Sequence, residues 1–259
     1  MNPMTRLLAI MARLRDPHDG CPWDLRQSYA SIVPYTLEEA YEVADAIQRG
    51  DMGELRDELG DLLFQIVFYS QIAREQGHFD FHDVARGIGD KMVRRHPHVF
   101  EDVEIRDATQ QTKVWENYKA EERKEKGEHS LMAGIPAGMA ELQRSVKLQK
   151  RAAKVGFDWG SPGPVMQKFE EELGEMRQAM DSGSRDAMED ELGDLLFVAT
   201  NLARQLKIDP GTALRRANAK FERRFRAMED TAGGHDALDA MSLESMESLW
   251  QTVKKSADQ

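Results

Sequence analysis

The chain has 259 residues, with 35 Lys and Arg against 46 Asp and Glu, a formal net charge of −11, 41% hydrophobic residues and one cysteine. That length suits one large domain or two of ordinary size, and no apolar run approaches the roughly 18 to 20 residues of a membrane span. The acidic balance repels phosphate polymers, so a nucleic-acid polymer is not an expected partner, and the lone Cys21 excludes an intramolecular disulfide or a multi-cysteine zinc site.

In chain order, Leu7, Leu8, Met11 and Leu14 predict an opening amphipathic helix that "DPHDGCPWD" ends. Its apolar stretch is broken by Arg13 and Arg15 and carries no cleavage-site pattern, so a cytoplasmic location is the expectation. Thr36 followed by Glu39 fits a capping box, which predicts a helix from about Thr36 to Arg49 with Gly50 as the turn. A longer helix with an apolar stripe from Leu55 to Ile72 follows, ending near Gln76. Helical segments over roughly 80–95 and 111–126 come next, with His96 and His98 read as turn residues around Pro97. Charge, Gly and Pro in "KEKGEHSLMAGIP" mark a linker. The expected organisation is therefore an N-terminal domain over 1–127, a linker over 128–136 and a C-terminal domain over 137–259. The second half repeats the pattern with helices over about 138–154, 164–181, 184–207, 211–229 and 242–255. The fold class predicted is all-α.

Residues 38–64 and 171–197 align with 13 identities in 27 pairs, which duplication explains better than chance. Each copy reads E-E-x-x-E, then E-x-x-D: Glu38, Glu39, Glu42, Glu58 and Asp61, then Glu171, Glu172, Glu175, Glu191 and Asp194. Residues three or four apart share a helix face. In an antiparallel pair, Glu39 with Asp61 and Glu42 with Glu58 both centre on Gly50, while Glu172 with Asp194 and Glu175 with Glu191 both centre on Gly183. Four carboxylates thus stand level across each hairpin, and such a group repels itself unless cations neutralise it. An all-oxygen set suits Mg²⁺ or Mn²⁺ and disfavours zinc. Magnesium usually binds together with substrate phosphates, which points to nucleotide or pyrophosphate chemistry. Gly60 and Gly193 sit inside E-x-G-D, where a mid-helix glycine serves close helix approach or contact with a ligand.

Cations follow in both halves: Lys91, Arg94 and Arg95, then Lys220, Arg223 and Arg224. Lys220 and Arg224 share a helix face and suit a polyphosphate. Trp115 with Lys119 and Trp250 with Lys254 pair an aromatic with a cation one turn apart, and such a Trp either stacks on a base or packs in the core. The glycine-rich phosphate loop, the dinucleotide fingerprint and H-E-x-x-H are missing from the sequence.

With its doubled acidic pattern, its K-x-x-R-R runs and the openings "GCPWD" and "GFDW", nearly the whole chain resembles the MazG family of bacterial nucleoside triphosphate pyrophosphohydrolases. The resemblance implies two tandem MazG domains and a homodimer. It also implies Mg²⁺-dependent hydrolysis of ribo- and deoxyribonucleoside triphosphates to monophosphate and pyrophosphate, with broad specificity and a role in nucleotide-pool cleaning or stress. By position it implies that Glu172, Glu175, Glu191 and Asp194 bind the metal and that Glu171 orders or deprotonates the attacking water. Lys168, Lys220, Arg224 and Lys254 would hold phosphates, with Trp250 near the base. Glu39, Glu42, Glu58 and Asp61 form a second, weaker candidate site, because Tyr35 stands where the second copy has Lys168 and because Pro97 ends the helix after Arg95. Two alternatives remain: a non-catalytic nucleotide-binding or interaction protein, and a pyrophosphatase restricted to one dNTP.

Overall fold

The computed structural model describes residues 2–100 and 130–257, with Val114, Tyr118 and Gly127 between them. The expected helix over 111–126 lies largely outside the described residues, and Trp115 and Lys119 lie outside them altogether. The described residues are helical with no strand among them, and the chain divides into two compact units, Met1–Lys119 and Ala120–Gln259.

In the first unit, α1 (Pro3–Leu14), α2 (Pro22–Arg26), α3 (Tyr29–Arg49), α4 (Met52–Glu75), α5 (Phe81–Arg95) and α6 (Pro97–Phe100) follow one another. α3 and α4 form the antiparallel hairpin, and α1 and α5 pack on α4. Gly50 closes the hairpin with φ of 73°, a left-handed cap that a side chain would strain. The core is Met11, Ile32, Val67, Phe68 and Ile72, so it gathers on the C-terminal half of α4.

Two local expectations need correction. The helix expected from Thr36 begins seven residues earlier, at Tyr29, because Ser28 and Ser31 form a reciprocal capping box. Pro34 is carried inside the helix, and Thr36 bonds the Ile32 carbonyl at 3.2 Å and the Tyr69 hydroxyl at 2.9 Å instead of capping. The second concerns His98, which lies in the short α6 rather than in a loop; His96 caps α5, and Pro97 starts the new turn.

The second unit repeats the plan with α7 (Glu141–Ala153), α8 (Pro162–Ser182), α9 (Arg185–Gln205), α10 (Pro210–Ala232), α11 (His235–Asp239) and α12 (Leu243–Ala257). α8 and α9 form the hairpin around Gly183, φ 69°, and α7 packs on α9 as α1 packs on α4. Between α7 and α9 the joint is polar: Gln149 donates to the Phe197 carbonyl at 2.8 Å and to Thr200 Oγ1 at 3.1 Å, and Ser145 bonds Thr200. α10, α11 and α12 enclose a separate apolar cluster of Met228, Leu238 and Val253.

The "GFDW" segment is tied to α9 by Asp158, which takes a two-pronged bond from Arg204 and another from Gln205 at 2.8 Å. The Arg204 bond, with its charge, holds the Asp158 carboxyl below the ordinary carboxylate range despite partial desolvation. A depressed carboxyl stabilises the fold above its unfolded pKa and loses that contribution as pH falls through its folded value. The second unit is therefore expected to lose stability below about pH 4. In Asp158→Asn that acid limb flattens, a result that denaturant titrations at pH 3 and pH 6 would check.

Lys207, just past α9, has φ of 58°, the one non-glycine residue in the left-handed region among those described. Gly77 holds the corresponding place after α4 with φ of 73°. Relief of this strain in Lys207→Gly is expected to raise stability by about 0.5 to 1 kcal/mol. Chemical denaturation reads that directly, and a loss of stability would show that the Lys207 side chain contributes more than its backbone costs.

Candidate active site in the second hairpin

The acid motif of each copy lies on the hairpin, one half on each helix, eight to twelve residues from the glycine turn. On α8 and α9, carboxylate oxygens of Glu172, Glu175 and Glu191 lie within 4.8 Å of one another. Glu172 is buried, 4% exposed, while Glu175 and Glu191 are half-buried. Asp194 is exposed, one turn further along α9, and stands outside this three-carboxylate group. On α3 and α4 the group is Glu39, Glu58 and Asp61, none of them fully buried; Glu42 stands beside it, close enough to act on both glutamates.

Crowding like charges has the expected electrostatic effect. The Glu175 carboxyl is pushed above the ordinary range by a hydrogen bond shared with Glu172, then by desolvation and the charges of Glu172 and Glu191, against the pull of Lys168. Desolvation first, and then the charges of Asp61, Glu42 and Glu58, raise Glu39; Glu58 is raised by desolvation, Glu42 and Asp61. Two further atoms bear on what the second group lacks: Glu172 Oε2 and Glu191 Oε2 are buried and accept no hydrogen bond. A buried carboxylate oxygen without a donor is costly, and oxygen ligands grouped at this range suit a hard divalent cation.

Lys168 lies one turn before this group on α8. Its Nζ is 2.8 Å from Glu171 Oε1 and 2.8 Å from Glu172 Oε1, and these two bonds raise its pKa. Glu171 is exposed. The other cations are carried by α10 and α12, which pack on each other. Lys220 and Lys254 are exposed there, whereas Arg224 is buried. Trp250 is half-buried against Met228, Leu238 and Val253, with its ring 5.4 Å from that of Phe221. Phe221, 59% exposed and stacked on Phe225 at 5.9 Å, extends this aromatic surface beside Lys220. Sequence reasoning passed over this phenylalanine pair. Its four-residue spacing, interleaved with Lys220 and Arg224, is the signal that carries it.

The family description "MazG nucleotide pyrophosphohydrolase domain" matches residues 27–100 and again 161–228, the two stretches that contain the hairpins. A nucleoside triphosphate pyrophosphohydrolase of Escherichia coli K12 is 50% identical over 260 residues, spanning 98% of each chain. The nucleoside triphosphate pyrophosphohydrolase/pyrophosphatase MazG of Thermotoga maritima is 41% identical over 249 residues, 96% of this chain and 94% of its own. A nucleoside triphosphate pyrophosphohydrolase of Mycolicibacterium smegmatis is 35% identical over 157 residues, 60% of this chain and 48% of its own. The similarity to the first two runs through both hairpins and the segments between them. By its two matched segments and its near full-length relatives, the chain belongs to the MazG family.

Proposed function

We propose that the chain is a metal-dependent nucleoside triphosphate pyrophosphohydrolase whose working site is the second hairpin. The observation that carries this reading is the pair of buried, donorless oxygens on Glu172 and Glu191, set in a group of three carboxylates within a family-matched segment. Glu172, Glu175 and Glu191, with Asp194 beside them, would hold Mg²⁺ or Mn²⁺. Such an ion lowers the pKa of water and neutralises charge on phosphoryl oxygens.

The residues then divide the work. Glu171, exposed at the rim, orients a water and accepts its proton as the oxygen attacks the α-phosphorus. The bond from that phosphorus to the bridging oxygen breaks, and pyrophosphate leaves. Lys168, Lys220, Arg224 and Lys254 bind the phosphates, and Trp250 lies against the base. Contacts made to phosphates and to a ring face discriminate weakly among bases, which favours broad use of ribo- and deoxyribonucleotides and a role in nucleotide-pool cleaning or stress. The test is product analysis with a panel of NTPs and dNTPs and Mg²⁺. Monophosphate plus pyrophosphate is expected. Diphosphate plus phosphate overturns the proposed bond cleavage, and nucleotide binding without turnover favours a binding protein.

A homodimer belongs to this reading. Met166, Leu173 and Met180 are exposed at intervals of seven along α8, and Leu192 and Leu196 are exposed on α9, so the hairpin carries an apolar stripe that its own unit leaves open. A second copy of the same hairpin covers such a stripe. Light scattering is expected to give twice the 29.5 kDa chain mass, and Leu173→Glu with Leu196→Glu is expected to give monomers. A wild-type chain that is monomeric at micromolar concentration contradicts this assembly.

A further inference from the structure

Lys168 occupies an unusual place for a phosphate ligand. It reaches one turn forward along α8 onto the acid group itself, with Nζ at 2.8 Å from both Glu171 Oε1 and Glu172 Oε1. Glu172 is buried; its Oε1 is held by Lys168 while its Oε2 accepts no hydrogen bond. Lys168 therefore neutralises part of a charge that three clustered carboxylates and the neighbouring Glu171 create. In the first hairpin the same position is Tyr35, whose ring stands edge-on to Trp23 with centroids 5.8 Å apart, so that copy has no lysine there.

We propose that Lys168 is the resident counter-ion of the second acid group, and that it leaves Glu172 when a divalent cation enters and is thereby released toward the phosphates of the nucleotide. This rests on the metal-site reading given above and adds an exchange of cations to it. Two like charges held on one carboxylate repel each other, so Lys168 and the metal compete for Glu172. The competition has two consequences. Without nucleotide the site discriminates against bare metal, and metal entry frees an ammonium where a phosphate oxygen can take it up. Lys168 thus couples metal binding to substrate capture.

The experiment is a Mn²⁺ titration of the full chain without nucleotide, read by electron paramagnetic resonance, on wild type, Lys168→Met and Lys168→Arg. Loss of the ammonium is expected to tighten binding at one site about tenfold, while Lys168→Arg leaves it near wild type. In parallel, acetylation of Lys168 in wild type, followed by mass spectrometry, is expected to be slow without metal and several-fold faster with Mn²⁺. This second readout does not depend on how any variant folds. Equal or weaker Mn²⁺ binding by Lys168→Met overturns the counter-ion role, and unchanged acetylation overturns its displacement. If neither wild type nor Lys168→Met binds Mn²⁺, the metal-site reading itself fails, an outcome distinct from the other two.

Discussion

Glu172→Gln is expected to lower pyrophosphate release by a factor on the order of 10³ while leaving the fold intact. The side chain is 4% exposed and sits between two demands: Lys168 pairs with one oxygen and the other accepts no hydrogen bond. Replacing the carboxylate by an amide keeps the volume, removes a negative charge from a crowded group and removes an oxygen ligand. Function and stability should therefore move in opposite directions. The metal-free variant is expected to melt at or above the wild-type temperature, because like-charge repulsion has been relieved. Stabilisation of the chain by Mg²⁺, which follows from binding to the folded state alone, should shrink or vanish. Scanning calorimetry with and without Mg²⁺, beside a pyrophosphate assay, reads all three quantities. A variant that simply unfolds would instead make Glu172 part of the scaffold.

The largest loss of stability is expected from Arg15→Met. Arg15 is 8% exposed and holds α1, α2 and α4 together. It donates to Glu75 Oε1 at 2.9 Å and Oε2 at 2.7 Å, to the carbonyls of Asp24 and Gln27, and lies 5.3 Å over the Phe68 ring. Partial burial alone would raise the Glu75 carboxyl, yet the bonds from Arg15 and Gln71 bring it below the ordinary range. Removing Arg15 leaves the Glu75 carboxylate with Gln71 as its remaining donor and takes a donor from the Asp24 and Gln27 carbonyls, a loss of charge-assisted bonds that costs about 3 kcal/mol. Hydrogen exchange in α4 should accelerate roughly a hundredfold or more, in line with that loss. By contrast Arg13→Met, which breaks an exposed pair with Asp19 at 3.4 Å, should change stability by about 0.5 kcal/mol or less. Equal effects of the two would show that the buried network contributes little.

Period and punctuation made most of the helices legible. The two hairpins were legible because Gly50 and Gly183 mark their turns and because the motif halves lie symmetrically about them. Starts were harder where capping chemistry was available twice: Thr36 and Glu39 imitate a capping box that Ser28 and Ser31 in fact make, and Pro34 inside the helix obscured the continuity. The short α2 and α11, five residues each, are too brief to show a period. In the site, spacing sets four carboxylates level across each hairpin, whereas the structure groups three in each: Glu42 is outside the first, Asp194 outside the second. Such differences depend on side-chain rotamers, which helical spacing does not encode. Nor does a pattern of charges distinguish Arg224, buried in its unit, from Lys220 four residues earlier, which is exposed.

The two copies of the motif allow each hairpin to be disabled in turn within a single chain. Pyrophosphate release with Mg²⁺ should be compared between Glu172→Gln and Glu39→Gln under saturating nucleotide. Activity confined to the second hairpin is expected to vanish in Glu172→Gln and to persist near the wild-type level in Glu39→Gln. Loss in Glu39→Gln with retention in Glu172→Gln would instead put the working site in the first hairpin.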